Sequence, residues 1–223
     1  MVELIEGLAV ERVTANLEAV KAQVAHAAAL SGRDAADVEI LAATKYVACE
    51  ELPVLAAAGV GLVGENRVQD LQAKVVVHGH LFTWDFIGRL QSKHVKAIVP
   101  HVRYIHSLAS ESALAVLKRY ADQANPGLKV LVEVNLAEDP AKAGVAPERL
   151  EEFIERSPVV VAGLMTMPPQ TADPEQSRPW FRRLHELAQT HGLKELSMGT
   201  TQDFAVAVEE GATIVRVGSR LYA

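Results

Sequence analysis

An eightfold alternation constrains this chain more than any other feature. Short apolar or β-branched runs occur at 38–44 (VEILAAT), 61–64 (GLVG), 84–88 (WDFIG), 104–108 (YIHSL), 129–135 (KVLVEVN), 159–165 (VVVAGLM), 195–199 (ELSMG) and 213–219 (TIVRVGS). Between them lie stretches with helical spacing: CEELPVLAAAG, ENRVQDLQAKV, SESALAVLKRYADQ, APERLEEFIERS, EQSRPWFRRLHELAQTHG and QDFAVAVEEGA. The short QSKHVKAIV fills the slot between the third and fourth runs. Strands that alternate with helices build a parallel sheet. Eight of them close a (β/α)8 barrel, and 223 residues suit one such unit. The rival, a doubly wound open sheet, carries a glycine-rich turn after its first strand, whereas ATKYVACEE has no glycine.

The eighth run leads straight into GSRLYA at the chain's end, which leaves the outer ring of helices one short. Ahead of the first run, Leu8, Val13, Leu17, Val20, Val24 and Leu30 recur at helical spacing from about Ile5 to Leu30, and Gly32 suits the C-terminal cap. The expectation is therefore an α/β TIM barrel, one domain over residues 1–223, with an extra N-terminal helix covering the gap. Residues 168–179 (PPQTADPEQSRP) read as a polar loop after the sixth strand rather than as a linker.

A net charge of −6 speaks against a nucleic-acid protein, which needs a basic face. The single cysteine, Cys49, excludes an internal disulfide and reads as a small residue near a helix start, not a catalytic thiol. The N-terminal stretch lacks the order of a signal peptide, and no apolar run is long enough to span a membrane. A cytoplasmic protein without membrane or nucleic-acid partners is expected.

Barrel chemistry sits at the C-terminal ends of the strands. Reading those ends in order collects Lys45, Glu65, Asn66, Gln91, Ser107, Asn135, Met165, Thr166, Ser197, Gly199, Thr201, Arg216, Gly218 and Ser219. Taken singly, an Asn or Ser there is an ordinary turn or cap residue. Lys45 stands out because it follows an interior strand with no acidic neighbour beside it. In a low-dielectric mouth its pKa should fall, freeing an amine to attack an aldehyde. The alternative is that its stem packs on the rim and its ammonium snorkels into water.

LSMGTTQDF and VRVGSRL place glycines and hydroxyls after the seventh and eighth strands, where barrels frequently bind phosphate. Two ordinary capped helix entries are the other reading. Closure of the barrel would set these loops beside Lys45. Arg216, inside TIVRVG, needs a partner, because arginine cannot shed its proton to escape burial. Either it donates to a heterocyclic nitrogen of a ligand, or it pairs internally with Glu133 or Glu65. His78 and His80 have metal-like spacing but no third ligand nearby, so exposure is expected. His106 reads as a core histidine, and Trp84 and Trp180 as packing residues.

LAATK, GENRVQD, WDFIGRLQS, VNLAEDPAKAGV, GLMTMPP, LSMGTTQDFAVAVEEGAT and VRVGS run in order from about residue 38 to the end. Together they resemble the pyridoxal phosphate homeostasis proteins, single-barrel relatives of the N-terminal domain of alanine racemase. The resemblance implies that Lys45 carries pyridoxal 5′-phosphate as a Schiff base and that Arg216 faces the pyridine nitrogen. It implies Asn66 and Met165 near the cofactor, with Ser197, Gly199, Thr201, Gly218 and Ser219 on its phosphate side. Three places depart from the family pattern. Lys93–His94 stands where Asn–Lys is usual, SMGTT replaces SMGMS, and GSRLYA replaces GTAIFG. The second change keeps a hydroxyl; the first puts the outer lysine's role in doubt.

Two functions follow from the resemblance. One is a monomeric carrier in vitamin B6 homeostasis and amino-acid balance, without robust turnover, whose partners beyond the cofactor would be pyridoxal-phosphate-dependent apo-enzymes. The other is an amino-acid racemase, which needs an acid/base on each face of its substrate. Lys45 serves one face, and the second domain that brings the other in alanine racemase is not expected here. Tyr46, His106 or a dimer partner would then have to supply it.

Overall fold

A computed structural model of the chain describes residues 4–137 and 143–223. It opens with helix α1 (Val10–Leu30) and continues with β1 (Glu39–Ala43), α2 (Leu52–Ala57), β2 (Leu62–Glu65), α3 (Val68–His78), β3 (Thr83–Phe86) and α4 (Val95–Ile98). Then follow β4 (Tyr104–Leu108), α5 (Glu111–Tyr120), β5 (Lys129–Glu133), α6 (Leu150–Glu155), β6 (Val160–Met165) and α7 (Arg178–Thr190). The chain closes with β7 (Glu195–Thr200), α8 (Phe204–Glu209), β8 (Ile214–Val217) and a single turn, α9 (Ser219–Tyr222). All eight strands fall on the runs read from the sequence, and they form one closed parallel barrel in chain order.

Closure is made by β8 on β1, with Leu41 opposite Arg216 and Ala42 opposite Val217. Outward residues such as Val63, Val130, Leu164 and Val215 pack with the helices in the main core, while Leu41, Tyr104, Leu131, Met165 and Ile214 form a separate cluster inside the barrel. This two-sided burial explains why the strands read as nearly continuous apolar runs instead of alternating ones.

α1 fills the missing place in the outer ring, packing on α8, α9 and α2. Val13, Leu17, Val20, Val24, Ala27 and Ala28 are its buried face. Arg12 Nε donates to the Ala223 carbonyl at 2.8 Å and Asn16 Nδ2 to the Leu221 carbonyl at 3.1 Å, which ties the helix to the chain's last turn. The helix ends as anticipated, with Gly32 in the left-handed region at φ +70°.

Its start differs from the reading at Ile5. Ile5 lies in extended backbone that bridges Val47, with Ile5 N–H donating to the Tyr46 carbonyl at 2.6 Å. Gly7 turns the chain at φ +72°, and its N–H meets the Glu51 carboxylate at 2.7 Å. The apolar spacing ahead of Val10 therefore serves an edge contact with the segment that follows Lys45, not a helical face.

Candidate functional site

β1 ends at Ala43, and the alternation that puts Leu41 inside the barrel carries Lys45 to the inner side of its mouth. Lys45 is half-buried, with its ammonium 4.7 Å from the centroid of the Tyr46 ring. Among the described residues no carboxylate pairs with it.

The peptide just before Lys45 is held from outside the barrel wall. Thr44 is fully buried; its Oγ1 donates to Glu65 Oε1 at 2.8 Å, and its carbonyl accepts from Lys74 Nζ at 2.8 Å. Lys74 and Glu65 themselves pair at 2.5 Å with side-chain exposures of 6% and 0%. Glu65 Oε2 also accepts the Asn66 N–H at 3.2 Å. Sequence reading missed Lys74, which looks like a surface lysine of an amphipathic helix. Its four-carbon stem crosses from α3 to the strand end, where Glu65, the acid it meets, is buried.

Across the closing seam lie the loops after β7 and β8. Thr201 Oγ1 accepts the Gly218 N–H at 3.0 Å and so joins the two loops. Asp203 Oδ1 accepts from Thr200 N–H at 2.7 Å and from Thr200 Oγ1 at 3.1 Å, which shapes the turn. Gly199 occupies φ +87°, and a Cβ there would come within 2.5 Å of the Ala207 Cβ and 2.9 Å of the Phe204 Cα. A Cβ on Gly218 would meet nothing closer than 3.7 Å, and its nearest neighbours are Ala43 and Thr201 Oγ1. Thus the β1 end that leads to Lys45 adjoins an open, hydroxyl-lined turn. Ser219 is exposed at its edge.

Arg216 is 7% exposed. Neither of the acids considered from the sequence pairs with it: Glu65 belongs to Lys74, and Glu133 lies beyond ion-pair distance. Its Nη1 donates to Ser197 O at 2.9 Å and Ser197 Oγ at 2.5 Å; its Nη2 donates to Thr166 O at 3.1 Å and Met167 Sδ at 2.9 Å. Burial pulls the guanidinium pKa down to about 10, opposed by Asp203 and Glu133. It remains a cation at neutral pH, held by neutral acceptors.

Ser197 is fully buried and its hydroxyl is committed to Arg216 and His106, so it sits beneath the mouth. Met165 also faces the barrel interior, in one cluster with Leu131 and Ile214. Burial raises the Glu133 pKa, against the lowering pull of Arg216 and Arg89. A cavity of about 330 Å³ opens beside it at the ends of β5 and β6, bounded by Asn135, Thr166, Met167 and Trp180. Asn66 Oδ1 is buried without a hydrogen-bond partner among the described residues.

Of the remaining sequence candidates, Ser107 donates to the Gly88 carbonyl, and Gln91 and Lys93 are exposed. Lys142, within the VNLAEDPAKAGV motif, lies outside the described residues. His78 is half-buried rather than exposed, His80 is exposed, and among the described residues no three His, Cys, Asp or Glu side chains could hold a metal. None of the described helices is long and apolar enough to cross a membrane.

These residues fit pyridoxal phosphate chemically. An amine stands across a strand seam from a turn open to a phosphate, a buried cation lacks a carboxylate, and an amide oxygen lacks a donor. Residues 12–223 match the model of the alanine racemase N-terminal domain family. A pyridoxal phosphate homeostasis protein of Aquifex aeolicus is 40% identical over 203 residues, covering 86% of this chain and 89% of the relative. One of Pseudomonas aeruginosa is 35% identical over 217 residues, covering 93% of each. The structure of PipY from Synechococcus elongatus, solved with PLP bound, is 31% identical with a TM-score of 0.76, covering 90% of this chain and 100% of that one. The chain belongs to the pyridoxal phosphate homeostasis proteins, within the alanine racemase N-terminal domain family.

Proposed function

We propose that this chain holds pyridoxal 5′-phosphate covalently on Lys45 and serves inside the cell as a carrier in vitamin B6 homeostasis. The observation that carries the reading is the seam between β1 and β8, which sets the Lys45 turn beside the Thr201–Gly218 turn. The names of the relatives and the PLP-bound PipY structure support it.

When bound, pyridoxal phosphate supplies an aldehyde that condenses with an amine and a ring that withdraws electrons. In this reading Lys45 supplies the amine, Thr201, Gly218 and Ser219 receive the phosphate, and Gly199 keeps the turn close. Asn66 lends its free amide oxygen at the ring's edge, and Met165 floors the site from below. Arg216 faces the pyridine nitrogen as a donor and leaves that nitrogen without a proton. A ring so treated is a weaker electron sink, which favours holding the cofactor over turning over amino acids.

The racemase alternative needs a second acid/base. His106 cannot serve, since it is fully buried between Asp85 and Ser197. Tyr46, exposed beside Lys45, is the group left in this chain. Pyridoxal phosphate added to the purified protein should produce a visible absorption band that Lys45→Ala abolishes. Optical rotation of L-amino acids incubated with the loaded protein should stay essentially constant. Sustained multi-turnover racemisation would overturn the carrier reading. Delivery to apo-enzymes is part of the same proposal; it calls for activation of such an enzyme by the loaded protein under conditions where free cofactor is scavenged.

A further inference from the structure

A chain of polar side chains crosses the barrel interior beneath Arg216. His106 on β4 bonds Ser197 on β7 through Nδ1 at 2.8 Å, although these strands are not neighbours in the barrel. Its Nε2 lies 3.1 Å from Asp85 Oδ2 on β3. Asp85 also receives Arg103 Nε at 3.2 Å, Arg103 Nη2 at 2.9 Å and the Tyr104 N–H at 3.0 Å. Arg103 Nη1 reaches Glu39 at 2.7 Å, at the opposite end of the barrel. Asp85, His106 and Ser197 are all buried.

The direction of every hydrogen bond in this chain is fixed by its ends. A guanidinium only donates, so Ser197 Oγ accepts from Arg216 and turns its own hydrogen to His106 Nδ1. The ring must then carry its hydrogen on Nε2, which donates to Asp85. Asp85 accepts throughout, as an ionised carboxylate does. The opposite tautomer would bury a serine hydrogen without an acceptor and set a bare ring nitrogen against the carboxylate, each at the cost of an unmet polar group. The charges agree. Burial alone would raise Asp85, but bonds to His106 and Arg103 hold it below the usual carboxylate range. Burial keeps His106 neutral, against the pull of Asp85 and with that of Arg216 and Arg103.

Fold stability alone gives no reason for such a chain, since Leu41, Leu131, Met165 and Ile214 pack the same interior with apolar groups and a buried polar chain seldom outdoes apolar packing. We propose that His106 and Asp85 are positioning residues for Arg216. They keep the Ser197 hydroxyl turned so that its lone pair meets the guanidinium, and thereby fix the cation at the mouth in its donating orientation. This rests on the reading of that mouth as the pyridoxal phosphate site.

The test combines cofactor affinity with magnetic resonance of the cofactor-free protein. His106→Phe should weaken pyridoxal phosphate binding about tenfold, the order of one hydrogen bond to a charged group, and shift the visible band. In an Arg216→Met background the same change should have almost no effect, and His106→Gln, whose amide oxygen can accept from Ser197, should restore most of the affinity. If His106→Phe does not fold, Ser197→Ala is read in the same two backgrounds. An equal loss in both backgrounds, or no loss in a folded variant, overturns the proposal. In the protein without cofactor, the His106 nitrogen shifts should report a neutral ring protonated on Nε2 at neutral pH. A ring protonated on Nδ1, or one that is cationic at neutral pH, overturns it independently. A wild-type protein that takes up no pyridoxal phosphate would defeat the functional reading, and the His106 shifts would then decide the chain by themselves.

Discussion

Lys74 Nζ hydrogen-bonds the carbonyl of Thr44 at 2.8 Å, gripping the peptide that leads into Lys45. The same ammonium neutralises Glu65, which in turn accepts from Thr44 Oγ1 and from the Asn66 N–H. One buried ion pair thus fixes the ends of both β1 and β2 behind Lys45. Removing one partner strands the other charge without water, which costs about 3–5 kcal/mol. Lys74→Met should therefore lower the unfolding free energy by that order. The double variant Lys74→Met, Glu65→Gln should recover part of the loss, because the uncompensated charge is gone. Urea denaturation of the three proteins checks this; equal stability of Lys74→Met and wild type would contradict it.

The interior chain makes stability depend on acidity with a defined sign. His106 is held below its ordinary value of 6.5, so the unfolded state takes up a proton first as pH falls. Its contribution is complete above about pH 6.5 and is lost progressively as pH drops toward the folded value. Asp85, also lowered, adds a second loss that starts near its ordinary 3.8. The groups facing His106 are Asp85 and Ser197 in contact and the Tyr104 ring edge-on with centroids 6.1 Å apart, with Arg216 and Arg103 beyond them. Unfolding midpoints measured across this range should fall on acidification, and His106→Gln should flatten the slope below about pH 6.5. A wild-type midpoint that rises on acidification there would be the wrong sign.

Gly199 offers a test of the turn itself. Its φ of +87° and the 2.5 Å approach to Ala207 leave no room for a side chain. Gly199→Ala should cost about 1–3 kcal/mol from the backbone alone, with the clash added. Retention of pyridoxal phosphate should fall with it, since Thr200 and Thr201 follow directly. Thermal unfolding together with cofactor titration reads both effects.

Thr201 should discriminate by phosphate. Thr201→Ser preserves the hydroxyl that receives the Gly218 N–H and should bind nearly as wild type does. Thr201→Val removes it and should weaken pyridoxal phosphate about tenfold, while leaving the binding of pyridoxal, which lacks the phosphate, nearly unchanged. Equal losses for both ligands would place the phosphate elsewhere.

The barrel was legible because its strands are apolar on both faces and each is set off by a helix of different period. The place of α1 in the outer ring could be read as well, since Leu17, Val20 and Val24 needed a surface to cover. Lys45, Arg216 and the glycine–hydroxyl turns could be found from their place at strand ends. The interior chain could not. Asp85 and His106 are 21 residues apart and meet through the β3–β4 pairing, whose register the sequence does not print, while His106 and Ser197 are 91 apart and only the curvature of the closed sheet brings them together. Nor could the partners of Arg216 be read off, because backbone carbonyls and a methionine sulfur leave no mark in a search for complementary charge. Lys74 was hidden for a related reason: helix periodicity reports which face a residue sits on, not how far its stem reaches.

The most direct measurement is borohydride reduction of the pyridoxal-phosphate-loaded protein followed by peptide mass mapping. The visible band should vanish on reduction, with one cofactor adduct fixed on the peptide bearing Lys45 and none in Lys45→Ala. An adduct on Lys93 or Lys142, or a cofactor that washes away after reduction, would contradict a covalent site on Lys45.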